Sequence, residues 1–304
     1  MTLITSSRRI ARVAYERLLA PLGARAVERM LRDGLPPRLA PALRFLTGAP
    51  APAAAEETAL RIERLRAQIA QRSDVYRFEH FDTALGPVRV AERTADTNGT
   101  LTSHRLATAF SVPKRWGVFL HLCAEAFDAR VILEMGACVG ISGAYLASIR
   151  TRPHLLTLEG SQSLARVARE SLATVSDNAE IVVGPFEETL TAALDRLTAN
   201  HQTLDVAFVD GHHEQAATLD YVARISAHLS PTALIILDDI YLYEGMWRAW
   251  QTLSSAGNVI AINVGRFGLL VHDGSEGRLY DLARYTGRWR VGRNRADIIA
   301  EAEP

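Results

Sequence analysis

The chain has 304 residues, a length suited to one large domain or two modest ones. Hydrophobic residues make up 48% and charged residues 22%, a globular composition that excludes disordered, collagen-like and coiled-coil readings. Lys+Arg and Asp+Glu both number 34, so the chain has neither the basic excess of a general nucleic-acid binder nor an acidic solvating tail. Lys114 is the one lysine, and in so Ala-rich a chain this reads as compositional bias; Arg abundance alone carries no functional signal. Two cysteines, Cys123 and Cys138, are too few for a disulfide framework or a four-thiolate zinc site, which points to a reducing, cytoplasmic setting. No apolar run reaches the length of a transmembrane helix, and the first residues lack the pattern of a secretory signal.

Residues 6–32 show helical periodicity with a basic amphipathic character, interrupted by Pro36, Pro37 and Pro41. The stretch 48–55 reads as a linker by composition, and residues 56–72 as a helix with charged faces. Residues 75–112 are mixed, with turn signals at Gly86-Pro87 and Asn98-Gly99. From residue 113 the pattern turns regular: helix 115–128, strand 131–133, helix 142–149, strand 155–158, helix 161–175, strand 181–183, helix 186–198, strand 206–209, helix 214–228, strand 234–237 and helix 244–255. Short apolar strands alternating with helices predict a mostly parallel α/β sheet, Rossmann-like, with helices on both faces. Residues 258–264 and 267–272, joined at Gly265-Arg266, predict a terminal antiparallel hairpin and bring the sheet to seven strands. The expected organisation is a helical N-terminal extension (1–50), a linker and cap segment (51–112), the core (113–273) and a C-terminal tail (274–304).

Ligands of open α/β sheets bind outside the carboxyl ends of the strands, so those ends carry the functional signal. The first strand is followed by Glu134, Gly136, Ala137, Gly140 and Ser142; the second by Glu159, Gly160 and Ser161; the third by Phe186 and Glu187; the fourth by Asp210, His212 and His213; the fifth by Asp238 and Asp239. Glycines let the backbone approach a ligand closely. An acid at the end of the second strand accepts bonds from ribose hydroxyls. Polar residues gather at one edge five times in succession, which core packing does not require.

Glu134–Ser142 followed by Glu159 resembles the first two signature motifs of class I S-adenosylmethionine (SAM)-dependent methyltransferases. The terminal hairpin resembles that family's last strands. The segments 132–148, 208–222 and 237–253 are similar to bacterial small-molecule O-methyltransferases, and the resemblance covers about residues 113–273. It implies that Gly136, Ala137 and Gly140 cradle the methionine moiety, that Glu134 holds its amino group and that Ser142 orients its carboxylate. Glu159 with Gly160 would grip the ribose, Phe186 and Glu187 would frame the adenine, and Asp210 would border the cofactor. Two departures stand out: Cys138 replaces the motif's middle glycine, and Pro231-Thr232-Ala233 replaces a Pro-Gly-Gly turn.

In the metal-dependent branch of that family, acids at the ends of the fourth and fifth strands hold a divalent ion. Asp210, Asp238 and Asp239 occupy the matching positions, and oxygen ligands suit Mg2+ or Mn2+. His213 stands where the catechol enzymes carry a catalytic lysine, and with Asp210 it is the candidate catalytic base. Helix-capping roles for Asp210, Asp238 and Asp239, and a structural role for His213, stay open. So do a metal-independent transferase with His213 as base, a nicotinamide oxidoreductase and a non-catalytic binding protein. The oxidoreductase fingerprint Gly-x-Gly-x-x-Gly is replaced here by Gly136-x-x-x-Gly140. The acceptor expected is a small molecule, with no nucleic acid and no integral membrane segment. The first 100 residues are expected to supply a lid or a homodimer contact.

Overall fold

The computed structural model describes residues 19–77 and 100–286. The start of the N-terminal periodic stretch, the turn signals at 86–87 and 98–99 and most of the tail lie outside them.

The first helix, α1, covers residues 19–32. Pro37–Leu39 forms a 3-10 turn, followed by α2 (Ala40–Leu46) and α3 (Ala53–Ala70). The linker expected at 48–55 is therefore partly helix. Pro52 stands at the N-cap, and a run of strong helix formers propagates from Ala53. Ala55, Ala59, Ile62, Leu65 and Ile69 repeat at three- and four-residue intervals and bury one stripe of α3. Two short strands, β1 (Val75–Arg77) and β2 (Thr100–Thr102), form a separate antiparallel pair.

The alternating region then runs α4 (Lys114–Ala126), β3 (Val131–Met135), α5 (Ile141–Ala147), β4 (His154–Glu159), α6 (Gln162–Leu172), β5 (Ala179–Val183), α7 (Phe186–Ala199), β6 (Leu204–Val209), α8 (Gln215–Ser226), β7 (Leu229–Leu237) and α9 (Glu244–Ser254). The hairpin strands are β8 (Ile260–Asn263) and β9 (Gly268–His272). A further strand, β10 (Arg278–Asp281), lies inside the stretch read as a tail. It pairs parallel with β8, so the main sheet has eight strands rather than seven, ordered β10-β8-β9-β7-β6-β3-β4-β5. Strands β3 to β7 are parallel, and β9 runs antiparallel between β7 and β8.

Alternation along the strands divides the core into two layers. Ile132, Leu155, Val206, Phe208, Leu234 and Ile236 face a layer containing α1 to α6. Leu133, Leu156, Ala207, Val209, Ile235 and Leu237 face α7, α8 and α9. Helix α3 is tied into the first layer by polar bonds. Tyr145 donates to Glu63 (3.0 Å), and Arg66 donates to the carbonyls of Ala107 (2.6 Å) and Val112 (2.5 Å). At the sheet's edge the Tyr280 hydroxyl donates to the Asp33 carbonyl (2.7 Å), joining β10 to the end of α1.

Candidate functional site

Strand order reverses between β3 and β6, because β4 and β5 extend the sheet one way and β7 the other. A crevice opens at the carboxyl ends of the strands flanking such a switch. The loop after β3 and Asp210 after β6 meet there: the Asp210 N–H donates to Met135 O (3.0 Å), and the N–H groups of Gly136 and Ala137 donate to Leu158 O (2.9 and 3.2 Å). Gly136 has φ +100°, and a Cβ on it would lie 2.1 Å from the Asp210 carbonyl oxygen. Cys138, in the motif's usual glycine position, keeps a left-handed backbone at φ +49°. Gly140, at φ +84°, opens α5.

Glu134, one residue before the end of β3, is completely buried. One carboxylate oxygen accepts from the Thr157 hydroxyl (2.7 Å), while Oε1 is buried with no hydrogen-bond partner among the described residues. Burial pushes this carboxyl up to about 7, against hydrogen bonds from Ser142 and Thr157 that pull it down. Ser142 thus faces Glu134, a contact that the sequence did not reveal. Glu159 binds the glycine loop from the neighbouring strand, accepting from the Cys138 N–H (2.8 Å) and the Ser161 N–H (2.9 Å). Burial raises its pKa, opposed by these backbone bonds and one from Gly160. A cleft of about 330 Å³ adjoins this edge, between β1 and the start of α6, with Tyr76, Ser161, Gln162 and Arg166 among its walls.

Phe186 lies edge-on to Tyr221 (centroids 6.2 Å apart) and against Gly211. The Tyr221 hydroxyl donates to Glu187 (3.1 Å) and sits 2.6 Å from His212 Nδ1. The adjacent His213 turns Nε2 toward Asp210, 3.9 Å from Oδ1, and its Nδ1 is buried without a partner among the described residues. Asp210 keeps 22% of its side chain open. Burial and the neighbouring Asp239 push its carboxyl up to about 7, against the pull of Arg266.

Arg266 was absent from the sequence-derived site. Because β9 runs antiparallel beside β7, with Gly268 opposite Leu237, the hairpin turn arrives at the carboxyl end of β7. From there Arg266 Nε donates to Asp238 Oδ1 (2.6 Å), and its Nη2 donates to Asp238 Oδ2. Nε also lies 3.8 Å from Asp239 Oδ1. Burial works against the guanidinium's charge, but Asp238, Asp239 and Asp210 outweigh it and hold the pKa above its ordinary value. The three acids expected to ligate an ion therefore do not fit one. Both oxygens of fully buried Asp238 are committed to Arg266. Among the described residues no group of three or more His, Cys, Asp or Glu side chains is arranged to hold a metal. No helix among them is long and apolar enough to cross a membrane.

Residues 133–240 match the family model described as a methyltransferase domain. A catechol O-methyltransferase of Mycobacterium tuberculosis is 33% identical over 134 residues, which span 43% of this chain and 57% of that enzyme. The chain thus spans little more than half the length of this curated relative. Among solved structures, an O-methyltransferase from Bacillus cereus in complex with S-adenosylhomocysteine (SAH) is 18% identical, with a TM-score of 0.45, covering 74% of this chain and 91% of that one. An O-methyltransferase of Streptomyces achromogenes involved in tomaymycin synthesis, in complex with SAM, is 24% identical, with a TM-score of 0.46, covering 69% and 96%.

Proposed function

We propose, from the match of residues 133–240 to a methyltransferase-domain family model, that this chain transfers the methyl group of SAM to a hydroxyl oxygen of a small molecule. The observation that carries the reading is Glu134: a fully buried carboxylate at the switch point, with one oxygen held by Thr157 and the other without a partner among the described residues. A buried unpaired oxygen is costly unless a ligand satisfies it. The ammonium of the methionine moiety would do so. Gly136 and Gly140 let the loop pack closely against the end of β6 and against α6, and Glu159, already braced by the same loop, has lone pairs left for ribose hydroxyls. Phe186 and Glu187 stand beyond it, where the adenine would lie.

Bound there, SAM would supply an activated methyl group on a positive sulfonium. The remaining work for the chain is alignment, exclusion of water and removal of one proton. A C–O bond forms as the S–C bond breaks, leaving SAH, and the acceptor's hydroxyl proton leaves to a base. Asp210, partly open and raised to about 7, is matched to that task. His213 Nε2, 3.9 Å away, would take the proton onward.

Isothermal titration of the full chain with SAH and with NAD tests the reading. One SAH per chain and no NAD binding is the expected result; NAD binding without SAH would replace it with the oxidoreductase reading. Incubation with tritiated SAM and a panel of phenols and sugar hydroxyls should then yield labelled product.

The charge state of Glu134 adds a pH dependence. Gripping an ammonium requires the carboxylate, but in the free protein Glu134 keeps its proton until about pH 7. Below that pH the proton must first be removed, at about 1.4 kcal/mol per pH unit. SAH affinity should therefore weaken about tenfold per unit as pH falls below 7. Glu134→Gln should bind weakly and lose the slope; an equally steep slope in the variant would assign the titration elsewhere.

A further inference from the structure

We infer that Arg266 takes the place of a divalent cation: while its guanidinium is present, the acids at the ends of β6 and β7 bind no metal, and methyl transfer in this chain needs none. The use of the site rests on the methyltransferase reading; the ion pair itself does not.

Asp210, Asp238 and Asp239 bring three carboxyl groups to one end of the sheet, with Asp238 fully buried. Buried carboxylates require a counter-charge. It can come from an ion drawn out of solution or from the chain. Here the β8–β9 turn delivers it. The two donors of Arg266 meet the two oxygens of Asp238 as a fork, the geometry in which a guanidinium holds a carboxylate most firmly. Asp238 Oδ1 also accepts from the backbone N–H of Asp239 (2.5 Å). A hard divalent ion wants about six oxygen ligands, and Asp238 already gives three of its roughly four lone-pair sites to Arg266 and the Asp239 N–H. An ion approaching Asp239 would also lie against a positive charge that cannot be shed by losing a proton.

The consequence for the reaction is specific. In the metal-dependent branch the cation arrives with the solvent and is shared with the acceptor. Here it is fixed to a hairpin, and its field acts on Asp210 by opposing the rise of that carboxyl's pKa. Arg266 is thus a positioning residue, acting on the reacting groups through the acids it holds.

Mn2+ is the probe, because its free-ion resonance in solution is lost on binding. Wild-type chain, with and without saturating SAH, should leave the Mn2+ spectrum at its free intensity into the millimolar range. Arg266→Lys, which keeps a cation, should do the same. Arg266→Gln, checked for folding by circular dichroism, should gain a Mn2+ site on the order of a hundredfold tighter than any in wild type, and Asp239→Asn added to it should remove that site. Mn2+ binding by wild type that Asp239→Asn abolishes would overturn the inference, as would a folded Arg266→Gln variant that gains none. If Arg266→Gln does not fold, wild type and Arg266→Lys decide the matter alone. SAH binding is read on the same samples, so its absence would sink the methyltransferase reading while leaving the internal cation standing.

Discussion

Gly136→Ala should destabilise the protein by roughly 2–6 kcal/mol and abolish SAH binding, through a single added methyl group. Two independent effects combine. The backbone at this position has φ +100°, a region that L side chains rarely adopt. The new Cβ would also stand 2.1 Å from the Asp210 carbonyl oxygen, far inside contact distance, and that oxygen belongs to backbone rather than to a side chain able to swing away. Relief requires parting the β3 loop from the end of β6, which are joined by the Asp210 N–H to Met135 O bond. Urea denaturation of the variant against wild type gives the stability term, and calorimetry with SAH gives the binding term. A variant within 1 kcal/mol of wild type that still binds SAH would refute the close approach of these two strand ends.

Asp238→Ala should cost about 3–5 kcal/mol, because it takes from a largely buried guanidinium the carboxylate that accepts its hydrogen bonds. The magnitude reflects the stranded charge and not the net value of the ion pair. Replacing both members, as in Asp238→Leu with Arg266→Met, should recover part of the loss, since a well-packed apolar pair of similar volume is often no less stable than a buried salt bridge, while Asp239 and Asp210 lose the guanidinium beside them. The double-mutant cycle, again by urea denaturation, separates the two cases. A single-variant loss below about 1 kcal/mol would mean that water already reaches Arg266 and that the pair behaves as a surface contact.

The sheet from β3 to β9 was legible because each of its strands is a short apolar run bounded by turn residues, and because the helices between them carry a helical apolar period. Residues at strand ends were legible for a related reason: Glu134, Glu159, Asp210 and Asp238 each follow an apolar run directly. What escaped was decided by packing. Strand β10 has one buried side chain, Tyr280, among exposed neighbours, so its sequence shows no apolar alternation; its edge position is set by pairing with β8. The Ala-Pro stretch before α3 reads as a linker by composition, yet the same alanines propagate a helix once Ala55 and Ala59 find a buried stripe. Arg266 sits in a hairpin turn, where a charged residue is unremarkable. Its role depends on the register that sets Gly268 opposite Leu237. The orientation of Ser142 toward Glu134 likewise depends on how α5 leans over β3, which one-dimensional spacing does not encode.

The bond from Tyr280 to the carbonyl of Asp33 joins residues 247 positions apart. During synthesis at about 5–20 residues per second, Asp33 waits roughly 12–50 s before its partner is even made. Through that interval α1 can settle against α2, where Arg44 donates to Glu28, but the site where its end meets the sheet does not yet exist. The first helix described and the last strand are therefore late neighbours. Closing this seam belongs among the final events of folding, after the alternating strands and helices have assembled between them.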